Sequence, residues 1–242
     1  MRTIRIYQPG NYSTGQTIEL SPAASQHVGV VLRMQPGEEL TLFTGDDHEF
    51  SATVLANQKK KVLVNIGAVN KVSRESPRAI HLAQAISKGE RMEWVIQKAV
   101  ELGVASITPL LTSRCVVRLD AVRLAKKQSQ WQAIAIAACE QSGRNTVPMI
   151  NQACTLDNYL PQVQGQLKLI LHPDGARTWR DYSLDQGDIA LLIGPEGGLS
   201  EDEINQAISM QFHPWRLGPR VLRTETAAIT AIGVLQAICG DL

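Results

Sequence analysis

The stretch LLIGPEGGLSEDE, Leu191 to Glu203, joins three features that together suit ligand binding. Ile189 to Ile193 reads as a buried strand, and Gly194, Pro195, Glu196, Gly197 and Gly198 read as a turn. Ser200, with Glu203 three residues on, has the spacing of a capping box that starts a helix. Bare glycine backbone lets N–H and C=O groups approach a flat ligand closely, which suits an adenine edge or a ribose. This is no Walker A loop, because no Gly-Lys-Ser/Thr follows, and the GxGxxG of a dinucleotide fingerprint is absent. Taken alone, a structural turn between strand and helix explains it equally well.

Three more stretches carry reactive or charged groups. In LGPRVLRTETAAITAIGVLQAI, residues 217–238, Arg220 and Arg223 stand just before a helix that starts near Thr224. That is where the ligand crevice of an α/β sheet usually lies, although ion pairs with Glu196 or Glu225 would give the arginines a purely structural role. The helix beyond is apolar nearly all round, so it is buried either in a core or in a dimer interface. CEQSGRN, residues 139–145, gathers Glu140, Gln141 and Arg144 at the end of a long helix, where a cation is favourable in itself. SKGERMEWVIQKAVELG, residues 87–103, supplies Lys88, Arg91 and Lys98.

The elements that must position these groups fall into two patterns. Residues 1–70 read as short strands (TIRIY, QTIEL, EELTLF, EFSATVL, KKVLVNI) broken by turn signals and by one helical stretch, PAASQHVGVVLRM. A small barrel or sandwich follows from that spacing. The polar stretch NKVSRESPR, residues 70–78, links it to alternating strands and helices. AIHLAQAI, SITPLL, LKLILH and DIALLIG are strands. Helices run over GERMEWVIQKAVELG, from Asp120 to Ser142, from Glu201 and from Thr224, with a short run near WRLG between the last two. Strands without polar alternation, alternating with helices, make a parallel α/β sheet covered on both faces.

Composition narrows the class further. A 242-residue chain that is 44% hydrophobic and 19% charged has the makings of a real core. No apolar run reaches the ~18 to 20 residues of a membrane span, and the N-terminus lacks the apolar core of a secretion signal. Cysteines 115, 139, 154 and 239 form no CxxC, and the five histidines are scattered, so the expectation is reduced thiols, a cytoplasmic protein and no metal centre. The net charge of +1 hides a division: residues 1–70 are neutral, 71–127 carry +6 and 128–242 carry −5. A basic middle suits a phosphate backbone, or is simply a solvated face.

LLIGPEGGLSEDE, followed about twenty residues later by LGPRVLRTETAA, resembles the signature pair of the SPOUT methyltransferases. With ERMEWVIQKAVELG and AIAACEQSGRN added, the chain resembles one family along essentially its whole length, the ribosomal RNA small-subunit methyltransferase E family. The resemblance implies a C-terminal SPOUT-type parallel sheet tied in a trefoil knot, over residues 73–242. Over residues 1–72 it implies a PUA-like β-barrel that binds RNA. The implied activity is S-adenosylmethionine-dependent methylation of uridine N3 in the small-subunit (16S) ribosomal RNA, the m3U1498 modification. The implied partners are that RNA and a second copy of the chain. The rival classes are a non-catalytic RNA-binding or assembly factor and a knotted methyltransferase for another RNA position. A nucleotide- or dinucleotide-binding metabolic enzyme is disfavoured by the missing phosphate fingerprints.

Carried over by motif, the cofactor loops are Leu171, His172 and Pro173; Ile193, Gly194, Glu196, Gly197 and Gly198; and Leu217, Gly218, Arg220, Leu222 and Thr224. His172, alone after a strand, reads as a backbone contributor rather than an acid or base. Methyl transfer to a uridine imide requires alignment of the base and loss of the N3 proton. Arg223 is assigned to stabilise the anion on O2 and O4, and Arg144 with Glu140 to place the base. Glu140, Glu196 and Glu225 all stay open as proton acceptor. Lys88, Arg91, Arg114 and Arg118 are the leading candidates for phosphate contacts. Arg123, Lys126, Lys127 and the lysines of NQKKK, residues 57–61, stand behind them.

Overall fold

In a computed structural model of the chain, the structure describes residues 4–58, 60–117, 119–165, 167–175, 177–182 and 187–242. The chain divides into two compact units, Met1–Glu75 with Cys139–Val147, and Ser76–Ala138 with Pro148–Leu242.

In the first unit, β1 (Arg5–Tyr7), β2 (Thr17–Glu19), β3 (Glu39–Phe43), β4 (His48–Asn57) and β5 (Val62–Lys71) form one sheet, in the order β1-β3-β4-β5-β2. β1 lies parallel to β3 and the remaining pairs are antiparallel. Ile6 of β1, Leu20 just after β2, Leu42, Val54 and Val64 share one buried cluster. The two ends of the sheet therefore curl around a common core, as a barrel requires. The alternating burial of β4 and β5 is the half-buried strand pattern legible in the sequence. The single helix expected over PAASQHVGVVLRM is divided: α1 (Pro22–Gln26), capped by the Ser21 hydroxyl, passes into a π-helix over His27–Val31. Gly29 and the β-branched Val28, Val30 and Val31 are poor α-helix formers, and the wider turn buries both Val28 and Met34.

Cys139–Val147 is tied to this barrel by polar contacts. Glu49 Oε2 accepts from Arg5 Nη1 at 2.9 Å, Asn145 Nδ2 at 3.0 Å and Arg74 Nη1 at 3.1 Å. Burial alone would raise the Glu49 carboxyl, but these three donors outweigh it and bring it down to about 2. Asn145 also donates to the Val72 carbonyl at 2.8 Å, and Thr146 to Asp47 at 2.8 Å.

The second unit is built on a parallel sheet. β6 (Ile80–Ala85), α2 (Arg91–Glu101), β7 (Ser106–Leu111) and α3 (Ala121–Ser142) come first, α3 ending in the segment that groups with the barrel. β8 (Met149–Ile150), β9 (Cys154–Thr155) and the one-turn α4 (Leu156–Tyr159) follow. After them come β10 (Leu167–Leu171), β11 (Ile189–Ile193), α5 (Glu201–Ser209), β12 (His213–Trp215) and α6 (Thr224–Cys239). The strand order is β12-β10-β11-β6-β7-β8, with β9 also on β7, and every pair is parallel. All five residues of β11 are buried, as an unalternating strand between two covered faces must be. β6 carries two polar residues, the half-buried His81 and Gln84, which is fully buried among apolar neighbours. β8, β9 and α4 are additions to the elements read from sequence.

Candidate active site

Three loops at the C-terminal ends of parallel strands meet in the second unit. They follow β10, β11 and β12, and they line a cavity of about 680 Å³. Leu171, His172 and Pro173 come from the first loop, Ile193, Gly194, Glu196, Gly197 and Gly198 from the second. Leu217, Gly218, Arg220, Leu222, Arg223 and Thr224 come from the third, which runs into α6. Every residue carried over for the cofactor lines this one cavity. Trp215 and Ala227 add apolar wall, and Asp174 and Arg216 add charge.

The chain folds this way locally for identifiable reasons. β11 is stopped by Gly194 and Pro195, and α5 begins three residues after the glycine pair with a full capping box. Ser200 Oγ accepts the Glu203 N–H at 3.3 Å, and Glu203 Oε2 accepts the Ser200 N–H at 2.8 Å. Glu203 Oε1 also takes the Ser113 N–H at 2.7 Å, so one carboxylate fixes both the helix start and the loop after β7. Bare backbone is required in the turn. A Cβ on Gly194 would lie 3.1 Å from the Leu199 amide nitrogen, and Gly198 sits at φ +68, where a side chain is strained.

Buried polar contacts hold the loops to one another. The Thr224 hydroxyl, at the first turn of α6, donates to the Gly194 carbonyl at 2.7 Å and accepts from Gln84 Nε2 at 2.9 Å. Thr224 is only 6% exposed, so its hydroxyl serves the loop rather than the cavity. Gln84 escaped the sequence reading. The signal was present, because an amide flanked by alanines in a mostly apolar, doubly covered strand needs a partner. His172 Nδ1 accepts the Asp174 N–H at 3.2 Å, which makes the ring a turn brace.

Arg91 and Arg114, expected to touch phosphates, line the cavity and brace its walls. Arg91 Nη1 lies 3.0 Å from Glu196 Oε1, and Arg91 Nε lies 3.8 Å from Glu225 Oε1. The Lys88 backbone N–H donates to the same Glu196 oxygen at 3.0 Å. Desolvation pushes the Glu196 carboxyl up, but the Lys88 and Glu196 backbone N–H groups and Arg91 prevail, so it lies below the usual range. Arg114 Nη1 donates to the Gly197 and Leu199 carbonyls at 3.1 and 3.2 Å. Among the described residues, Arg216, Arg220 and Arg223 have no ion pair, which leaves three cations facing the cavity. Lys127 is paired with Glu93 at 3.2 Å and Arg123 with Asp120 at 3.4 Å. Arg118 lies outside the described residues, as does Lys59 of the NQKKK stretch.

Arg144 and Glu140 are not among the lining residues and belong to the first unit. Arg144, 4% exposed, forms an ion pair with Glu75. Glu140 accepts the Tyr7 backbone N–H at 3.0 Å and lies 3.6 Å from His27, and burial raises its carboxyl despite both contacts. Among the described residues, no group of three or more His, Cys, Asp or Glu is placed to hold a metal ion. No helix among them is long and apolar enough to cross a membrane.

Comparison with known proteins agrees with this geometry. A family model described as an RNA methyltransferase domain matches residues 74–236, and one described as an RNA methyltransferase PUA domain matches residues 20–67. The ribosomal RNA small subunit methyltransferase E of Buchnera aphidicola is 37% identical over 242 residues, covering 100% of this chain and 98% of the relative. A Legionella pneumophila protein solved with bound cofactor SAM is 60% identical with a TM-score of 0.98, over 100% of both chains. The Neisseria gonorrhoeae ribosomal RNA small subunit methyltransferase E, solved bound to S-adenosyl methionine, is 39% identical with a TM-score of 0.93, again over 100% of both.

Proposed function

Because the chain belongs to the ribosomal RNA small subunit methyltransferase E family, we propose that it transfers the methyl group of S-adenosylmethionine to N3 of a uridine in small-subunit (16S) ribosomal RNA. It is an S-adenosylmethionine-dependent ribosomal RNA methyltransferase. The observation that carries the reading is that one cavity gathers all three loops, the glycine turn after β11 and the arginine-bearing loop before α6 among them. Its volume lies within the ~300–1,000 Å³ of small-molecule sites. Glycine backbone on one wall and apolar Leu171, Ile193, Leu217 and Leu222 on others fit an adenosine with a short charged tail.

The cofactor, when bound, supplies a sulfonium-activated methyl group, so the protein has to align the base and manage one proton. Arg223 holds the negative charge that develops over O2 and O4 of the uridine, with Arg220 beside it. Glu196 and Glu225, both joined to Arg91, are the carboxylates of this unit open to accept the N3 proton directly or through water. Arg144 and Glu140 act on the base indirectly, by fixing Cys139–Val147 against the barrel. Lys88, Arg91, Arg114 and Arg118 approach the phosphates, Arg91 and Arg114 in addition to their bracing contacts.

The same reading divides the chain into an RNA-binding barrel over residues 1–72 and a methyltransferase domain over 73–242. It ties the loops of the latter into a trefoil knot and pairs two copies as a homodimer in the cytoplasm. Ile229 and Val234, half-exposed on α6, and the exposed Ile238 near its end support the pairing. The test uses labelled S-adenosylmethionine and small ribosomal subunits from cells lacking the activity. Label in N3-methyluridine after nucleoside digestion is the expected result; label in another nucleoside, or none, would overturn it.

A further inference from the structure

The barrel carries a surface that the catalytic reading does not use. Val30, Val31 and Leu32 are 38%, 65% and 38% exposed, three consecutive branched apolar side chains turned to solvent. They are held there by a π-helix: Leu32 N–H donates to the His27 carbonyl at 2.9 Å, and Met34 N–H to the Val28 carbonyl at 3.0 Å. Val28 and Met34 are sunk in the barrel core on either side, and Arg33 takes the left-handed conformation at φ +54. π-Helices and left-handed non-glycine residues are rare and concentrate at functional sites.

A second element meets this turn. Asn57, at the end of β4, donates to the Gly29 and Met34 carbonyls at 3.3 and 2.7 Å. The end of β4 is thereby fixed to the turn that carries the apolar ledge, with Lys60 three residues further along the chain and Lys61 four. Lys61 pairs with Glu19 at 2.9 Å, whereas Arg33 and Lys60 have no ion pair among the described residues. An apolar ledge bordered by two unpaired cations matches a single-stranded nucleic acid, which offers flat bases and phosphates together. A twofold contact between copies would bring the same cations face to face, which like-charge repulsion opposes.

We propose that Val30, Val31 and Leu32 form a shelf for unstacked RNA bases, with Arg33 and Lys60 holding the flanking phosphates. This rests on the reading of the chain as an RNA methyltransferase and assigns the barrel's hold on that substrate to named residues.

The test compares wild-type protein with Val31→Ser, Lys60→Gln and Arg33→Asn, the last chosen because asparagine tolerates the left-handed conformation. Binding to a small-subunit ribosomal RNA fragment is followed by fluorescence anisotropy across a salt series, with S-adenosylmethionine affinity and sedimentation measured alongside. Val31→Ser is expected to weaken RNA binding about tenfold with the salt slope unchanged. Arg33→Asn and Lys60→Gln should each weaken it and lower the slope of log K against log salt by about 1. Cofactor affinity should stay constant. Unaltered RNA affinity in all three variants would overturn the shelf. A changed sedimentation coefficient with unaltered RNA affinity would reassign the surface to self-association. Wild-type protein that binds S-adenosylmethionine but no RNA would overturn the functional reading itself.

Discussion

Gln84 Nε2 donates to Thr224 Oγ1 over 2.9 Å where β6 meets α6, and that hydroxyl donates in turn to the Gly194 carbonyl over 2.7 Å. Three segments far apart in sequence, β6, the glycine turn and α6, are thus fixed by one hydroxyl. Thr224→Val keeps the shape and removes the link, leaving a buried amide and a buried carbonyl without this partner. The expected cost is about 1–3 kcal/mol of stability, or a fall in Tm of roughly 2–12 °C for a chain of this size. Calorimetry should also show weaker S-adenosylmethionine binding, and Thr224→Ser should restore both. Full cofactor affinity in Thr224→Val would end the positioning role.

Arg114 braces the same turn from outside, through the Gly197 and Leu199 carbonyls. Arg114→Ala should raise the cofactor Kd about tenfold, since a charge-assisted hydrogen bond contributes about 1.5–3 kcal/mol. RNA affinity measured in parallel separates the brace from a direct phosphate contact. If only RNA binding falls, the arginine works on the substrate.

Arg223 lies at the N-cap of α6 with no ion pair among the described residues and faces the cavity. Arg223→Ala should lower kcat about 10²-fold while leaving cofactor affinity close to wild type, the pattern of a contact made in the transition state. Single-turnover rates with saturating RNA give the comparison, and an unchanged rate removes the assignment.

Stability should depend on acid through Glu49. Its folded-state carboxyl lies at about 2, below the ~4.3 of an unfolded glutamate. The stabilisation is therefore complete above the unfolded value and is lost as pH falls from there through about 2. Urea midpoints measured between pH 6 and 2 should fall more steeply for the wild type than for Glu49→Gln, which carries no charge to lose. Parallel curves would remove Glu49 from the acid response.

Much of this arrangement was legible in the residues. The capping box at Ser200 and Glu203 and the unalternating strands β10 and β11 appear where their patterns place them. The loops identified by motif line a single cavity. β8 and β9 were not legible, because two-residue strands are too short to carry a period and exist only through pairing with β7. The π-helix was hidden because its spacing differs little from that of the α-helix over five residues. Charge alone left a second task at Arg91 and Arg114 unseen, since their guanidinium groups hold a carboxylate and two carbonyls of their own unit. Lysine and arginine counts do not register such internal partners.

The strand order also imposes a timetable on synthesis. β6 pairs with β7 on one side and with β11 on the other, Ile80 facing Ile189. On a ribosome adding about 5–20 residues per second, β6 emerges many seconds before the strand that completes its second edge. Through that interval a largely apolar strand has an open hydrogen-bonding edge, the kind of surface on which chains stick to one another. The loops after β11 and β12 come later still. A nascent chain thus passes through a sticky, cofactor-free stage whose length is set by the order of its strands, and helper proteins acting on it have to arrive within that window.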